Sequence, residues 1–204
     1  MHSKNPLLLL LTLLVSITFY QCNTTQKENT VKKVISKEDK NFTEHYISGK
    51  IKTEGQFLEN KKTGEWIFYY ENGDVQSIRN YKEGALNGYQ KIDYSQVLYM
   101  EGYAKNGQKI GTWKSYFKEN NQLKYLKHFD DYGNSTGTWK SYYDSGELHL
   151  IENYSNNMAN GKEIEYYKNG QIFTEGNKQN SIKTGTWKTY NDKGLLLNTE
   201  IYDN

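Results

Sequence analysis

The chain has 204 residues and a formal net charge of +2, from 26 Lys and Arg against 24 Asp and Glu. That length holds one moderate domain or one repeat array and excludes a multidomain enzyme, while the charge balance lacks the counterion-release term on which nucleic-acid binders depend. Hydrophobic residues at 35% and a mean hydropathy of −0.94 exclude a large conventional core, yet 19 Tyr, 7 Phe and 4 Trp set the chain apart from disordered segments. It is expected to fold around aromatic rings.

In chain order, residues 1–21 read as a signal peptide: Lys4 precedes an apolar run, Leu7 to Tyr20, too short to span a bilayer as a relaxed helix. The run ends in Phe19-Tyr20-Gln21-Cys22, with the only cysteine where a bacterial lipoprotein signal puts its acylated thiol. The segment resembles a lipobox, although Gln21 replaces the small residue usual before the cysteine. The resemblance implies lipidation at Cys22 and a protein anchored to a membrane, each buried CH₂ contributing about 0.8 kcal/mol. An ordinary secretory signal with an incidental Cys22 is the alternative. Residues 22–42, polar and mixed in charge, read as a flexible tether.

From residue 43 to 204 the chain repeats. Gly64, Gly88, Gly111, Gly137, Gly161 and Gly185 open six copies at intervals of 24, 23, 26, 24 and 24 residues. Two positions on stands Trp66, Trp113, Trp139 or Trp187; five positions on stands Tyr69, Tyr116, Tyr142, Tyr166 or Tyr190. Four copies carry a second glycine, Gly73, Gly146, Gly170 or Gly194, in a hairpin-turn context. The copy at Gly111 has Asn120-Asn121 and one extra residue there, which asparagine's tolerance of positive φ permits. The predicted unit is strand, tight turn, strand, looser turn. Residues from His45 to Phe57 read as the second half of a further copy, so the array opens on a partial repeat.

Short strands joined by short turns must pair antiparallel and in sequence. The predicted fold is all-β: an elongated antiparallel meander of about six and a half 24-residue β-hairpins, preceded by a signal helix and a disordered tether. About 13 strands at ~4.8 Å would make a ribbon roughly 60 Å by ~20 Å. Alternation puts Trp139 and Ser141 on one face and Lys140 and Tyr142 on the other, so both faces carry aromatics and neither is dry. Cross-repeat ladders of Trp and Tyr are the expected stabilising term, at about 0.2 to 1 kcal/mol per pair. A mid-array ring such as Trp139 is expected to matter more than Trp187 near the end. The tail TEIYDN is expected to cap the last strand.

The pattern G-x-W-x-x-Y-x-x-x-G-x-[LV] resembles the MORN-repeat variant found in YwqK-type antitoxin-like proteins, over about residues 43 to 204. The resemblance implies protein contacts, self-association and, less directly, lipid headgroups; for an exported chain it implies an envelope-located immunity or partner-binding role. A second resemblance, to choline- and glucan-binding surface repeats, implies glycan or quaternary-amine binding between rings of successive hairpins.

No catalytic constellation is legible. The histidines beyond the signal are His45, His128 and His149, the last two read as solvent-facing substitutions, and Asp130-Asp131 reads as a hydrated turn. There is no cysteine pair, phosphate loop or nucleophile elbow. The expected protein is therefore a non-enzyme with no cofactor or metal. It binds a protein partner, reaches the membrane through its lipid, and faces the periplasm or the exterior of a bacterial envelope.

Overall fold

The structure, a computed structural model, describes residues 40–93 and 98–203. The expected signal peptide and the tether up to residue 39 lie outside the described residues. The elements are β1 (Lys40–His45), β2 (Ile51–Leu58), β3 (Lys61–Tyr69), β4 (Val75–Lys82), β5 (Ala85–Asp93), β6 (Leu98–Lys105) and β7 (Gln108–Phe117). There follow β8 (Leu123–Phe129), β9 (Ser135–Tyr142), β10 (Leu148–Ser155), β11 (Met158–Tyr166), β12 (Ile172–Gln179), β13 (Ile182–Tyr190) and β14 (Leu196–Tyr202). All 14 form one sheet in sequence order, each strand antiparallel to its chain neighbours.

The expected partial copy is a full hairpin. β1 starts at Lys40, inside the stretch read as tether, and pairs Phe42 with Gly55. Phe42 holds the place that tryptophan takes later, against Phe57 and Trp66 at 5.4 and 5.3 Å between ring centroids. The tail does not cap the sheet as a loose segment; it is β14, paired along β13 from Gly185↔Tyr202 to Tyr190↔Leu196.

The two turn types are the reverse of the sequence expectation. The glycine-bearing turn is the longer one: in Tyr70–Asp74, Tyr70 N–H donates to the Asp74 carbonyl at 2.8 Å and Gly73 N–H to that of Tyr70 at 2.9 Å. Gly73 has φ 101°, which makes this a three-residue loop closed by a left-handed glycine. The connection read as loose is a two-residue turn with positive φ at both centres, as at Asn156 and Asn157 (49° and 67°) or Asn180 and Ser181 (50° and 68°). Only Asn106-Gly107 spells the usual signal for it. The 26-residue interval comes from two local changes. Asn121 takes φ 56° in a lengthened loop, and Asp130–Asn134 replaces the two-residue turn between β8 and β9.

The repeat's opening Gly-x-Trp is a bulge. Pairing runs Gln56↔Thr63, then Glu54↔Ile67, so Gly55 alone opposes Gly64, Glu65 and Trp66. The same three-for-one slip sets Gly102 against 111–113 and Gly176 against 185–187. It swings each indole onto the glycine of the preceding strand. The core therefore lies on one face: Trp66, Trp113 and Trp187 are 1%, 4% and 3% exposed, and buried Thr53, Ser77, Ser115 and Ser141 line the adjacent row on that face.

Candidate functional site

The Trp face is built from a module that the chain writes three times. In Gly55–Lys62–Trp66, Gly102–Lys109–Trp113 and Gly176–Lys183–Trp187 the ring lies against a glycine whose missing Cβ makes the room. The lysine four residues before the tryptophan puts its ammonium over the ring, 4.1, 4.5 and 4.2 Å from the centroid. Each indole N–H donates to the carbonyl just after that glycine: Gln56 at 3.0 Å, Tyr103 at 2.9 Å, Asn177 at 3.0 Å. The fourth tryptophan departs from this. Lys127 stands in the glycine's place and Ser135 in the lysine's, so the ring of Trp139 stays half-buried and stacks on Tyr154 at 4.1 Å. The cation is restored from the other strand, with Lys127 Nζ 4.5 Å from the Trp139 centroid.

Where tryptophan is absent, glycine is absent too. Gln90 takes the position in the second copy, 0% exposed and paired with Arg79; Glu163 takes it in the fifth, paired with Glu152. Lys178 bridges that acid pair, 2.9 Å from Glu152 and 2.5 Å from Glu163. Burial pushes the Glu163 carboxyl above its ordinary pKa. Burial works the same way on Glu152, but bonds from Lys178, Glu163 and Tyr154 outweigh it and keep that carboxyl low. Glu163 is thus the member that takes up a proton first on acidification.

The opposite face carries the repeat's Tyr. Tyr69, Tyr116 and Tyr190 donate to Glu54 (2.5 Å), Glu101 (2.8 Å) and Glu175 (2.9 Å), each the residue before a module glycine. The recurring Glu-Gly pair was the readable signal for this latch, and the sequence reading missed it. Tyr142 and Tyr166 lie beside Leu126 and Ile151 at the corresponding places instead. A single row crosses this face strand by strand: Glu54, Ile67, Ile78, Lys91, Glu101, Lys114, then Leu126, Lys140, Ile151, Ile164, Glu175 and Lys188.

Glu101 also accepts from Tyr89 at 2.7 Å. Burial works to raise its pKa, but the Tyr89 and Tyr116 hydroxyls and the Lys91 and Lys114 ammonium groups outweigh it and hold the carboxyl below its ordinary value. A lowered folded-state pKa stabilises above the unfolded value and loses that contribution as pH falls through the folded one. Glu101→Gln is therefore expected to cost about 1 to 2 kcal/mol at neutral pH. The difference from the parent should vanish in acid, read by urea unfolding at the two pH values.

The remaining site residues serve the scaffold. Gly64, Gly88, Gly111, Gly137, Gly161 and Gly185 all have positive φ at the bulge, and Gly73, Gly146, Gly170 and Gly194 close the three-residue loops. Hairpins are tied together by the tyrosine that follows two of the repeat tyrosines: Tyr143 donates to the Tyr166 carbonyl at 2.7 Å and Tyr167 to that of Tyr190 at 3.0 Å. His128 and His149, expected to face solvent, each have a side-chain partner, and the His149 side chain keeps 36% of its exposure. His128 lies 3.0 Å from the Thr112 hydroxyl, and His149 sits 3.2 Å from Glu165 with its ring 4.5 Å from that of Tyr143. Asp130 is an Asx turn that accepts from the Tyr132 and Asn134 backbone N–H groups, at 2.9 and 2.8 Å. Among the described residues no group of three His, Cys, Asp or Glu could hold a metal. Cys22 lies outside the described residues.

The indole faces are covered by side chains of the same chain. Three indoles are almost wholly buried, with glycine and a lysine ammonium of the same chain against them, and the fourth is covered by Lys127 and Tyr154. The glycan and quaternary-amine reading needed those faces open. What the Trp face does offer is two shallow cavities in mid-array that share Tyr125 and Lys127 as their common wall. One, about 390 Å³, is lined by Met100, Lys109, Trp113 and Phe129; the other, about 150 Å³, by Trp139, Leu150, Glu152 and Tyr154.

This architecture, 14 antiparallel strands in one open meander, is that of a β-hairpin repeat protein. The family described as MORN repeat variant matches at residues 62–83, 135–156 and 159–180. The matched stretches coincide with the hairpins β3–β4, β9–β10 and β11–β12, and the other hairpins continue the same sheet. Such repeats are common in binding and scaffold proteins and are generally non-catalytic. No curated protein matches the chain.

Proposed function

We propose that this protein is a non-enzymatic scaffold that binds a protein partner across a face of its sheet, held at a bacterial envelope by a lipid on Cys22. The observation that carries the binding reading is the continuous cross-strand row on the Tyr face, in which Ile67–Ile78 and Ile151–Ile164 alternate with charged residues from Glu54 to Lys188. Fourteen strands at ~4.8 Å give a face with more than the ~800 Å² that a standard interface takes from each partner. Apolar blocks spaced by charges suit a specific polypeptide surface, since the charges fix register while the apolar blocks supply burial. An immunity-type role, in which the bound partner is a toxin acting in the envelope, is the finer form of this reading.

Affinity capture with the full chain from envelope extracts tests the binding reading. A stoichiometric protein partner is the expected result; none across several growth conditions overturns it. The anchor rests on the lipobox-like segment, and Cys22→Ser tests it separately. The variant is expected to leave the membrane fraction, with loss of the acyl mass seen on the parent by mass spectrometry. A variant that still sediments with membranes removes the anchor and leaves the binding reading intact.

A further inference from the structure

Two cations of the mid-array Trp face, Lys109 and Lys127, lack a direct ion-pair partner among the described residues. Lys178 on the same face is paired twice, with Glu152 and Glu163. The contacts of Lys109 Nζ are the Met100 sulfur at 3.7 Å and the rings of Trp113 and Phe129. Those of Lys127 are the rings of Trp139 and Tyr125, at 4.5 and 5.1 Å. Burial lowers the pKa of both ammonium groups; Lys127 lowers that of Lys109 further, while the Glu152 carboxylate offsets only part of the effect of burial on Lys127. Two neighbouring, partly desolvated cations repel one another, and an anion between them would relieve that repulsion.

They stand at two adjoining cavities with apolar walls. Lys109 and Lys127 both line the larger one with Met100, Trp113, Tyr125 and Phe129, and Lys127 also lines the smaller one beside Trp139 and Leu150. A volume of about 390 Å³ takes one large aliphatic or aromatic side chain, and methionine adapts its walls to different shapes. Glu152, already held by Lys178 and Tyr154, bounds the smaller cavity and repels a second acidic group there.

We propose that these two cavities form a single trough that binds an acidic segment of a partner protein, its carboxylates at Lys109 and Lys127 and an apolar side chain between Met100, Trp113 and Phe129. This rests on the reading of the chain as a protein-binding scaffold and names the chemistry of one of its surfaces. A glycan is disfavoured because the indole faces are covered. A flat bilayer is disfavoured because it would meet protruding cations before these recessed ones.

The test is a random heptapeptide display selection on the purified full chain, with enriched peptides then measured by fluorescence anisotropy. Sequences with two Asp or Glu around an apolar residue are expected, with affinity falling about tenfold for each of Lys109→Gln and Lys127→Gln. Lys109→Arg and Lys127→Arg should keep the affinity, which separates lost charge from lost folding. Enrichment of basic or neutral sequences, no enrichment, or acidic peptides that bind the double glutamine variant as tightly as the parent overturns the proposal. So does cosedimentation with phosphatidylglycerol vesicles that needs both lysines while no peptide is enriched. A partner captured equally well by the double glutamine variant refutes the trough alone and leaves the scaffold reading standing.

Discussion

Gly102→Ala is expected to destabilise the sheet by about 3 kcal/mol. Its new Cβ would fall among ring atoms of Trp113, at a separation that real Cβ atoms do not show, and those atoms belong to a rigid indole. The ring has no direction in which to yield. Its N–H is held by the Tyr103 carbonyl at 2.9 Å, and Lys109 sits over it. Because the damage is done through the tryptophan, the two sites must couple. Gly102→Ala placed on top of Trp113→Ala should cost little more than Trp113→Ala alone. Urea unfolding of the four proteins measures it, and fully additive losses would show that the glycine serves some other purpose. Gly55→Ala and Gly176→Ala should behave alike, against Trp66 and Trp187.

The second large effect is a ranking. Trp113→Ala and Trp187→Ala are each expected to cost about 3 to 5 kcal/mol, and Trp139→Ala about 1 to 2 kcal/mol. Position in the array argues for the opposite order, since a central ring has repeats on both sides. Burial decides instead. Trp187 is 3% exposed on Gly176, whereas Lys127 keeps Trp139 from sinking to the sheet. Losing Trp139 exposes less new apolar surface, and the Tyr125 ring remains against Lys127. Chemical unfolding of the three variants under one set of conditions gives the order, and a larger loss at Trp139 than at Trp187 would refute it.

Much of the fold was legible because it is written in spacing. The interval between Gly64, Gly88 and their successors forced sequential antiparallel hairpins, and Gly73 or Gly170 marked turns through a positive φ that few residues adopt. The inverted turn types were not legible. Asn156-Asn157 and Asn180-Ser181 bend as tightly as Asn106-Gly107 without the familiar dipeptide, and their tightness shows only once strand pairing is known. The one-sided core was hidden for a related reason. Simple alternation puts aromatics on both faces, but the three-for-one bulge at Gly64–Trp66 moves the indole onto Gly55, a residue eleven positions back. Phe42 escaped notice as the opening ring because no glycine stands two residues before it.

The trough residues were individually visible and collectively silent. Lys109 belongs to the ordinary module, whereas Lys127 occupies a glycine's position on an even-numbered strand, so no repeat alignment sets the two side by side. Their proximity follows from the pairing Trp113↔Lys127, a property of register rather than of composition.

Uniform nearest-neighbour pairing also bears on how such a chain can change. Because each even-numbered strand presents the next odd one with an equivalent edge, cutting out residues 159–182 would join the turn after β10 directly to β13, like meeting like. Every surviving strand would keep a partner of its own kind, and loss or duplication would alter only how many side chains the faces display. Reach, and with it the span of partner that can be engaged, is thus open to heritable adjustment in whole steps, with no need to reinvent the joint.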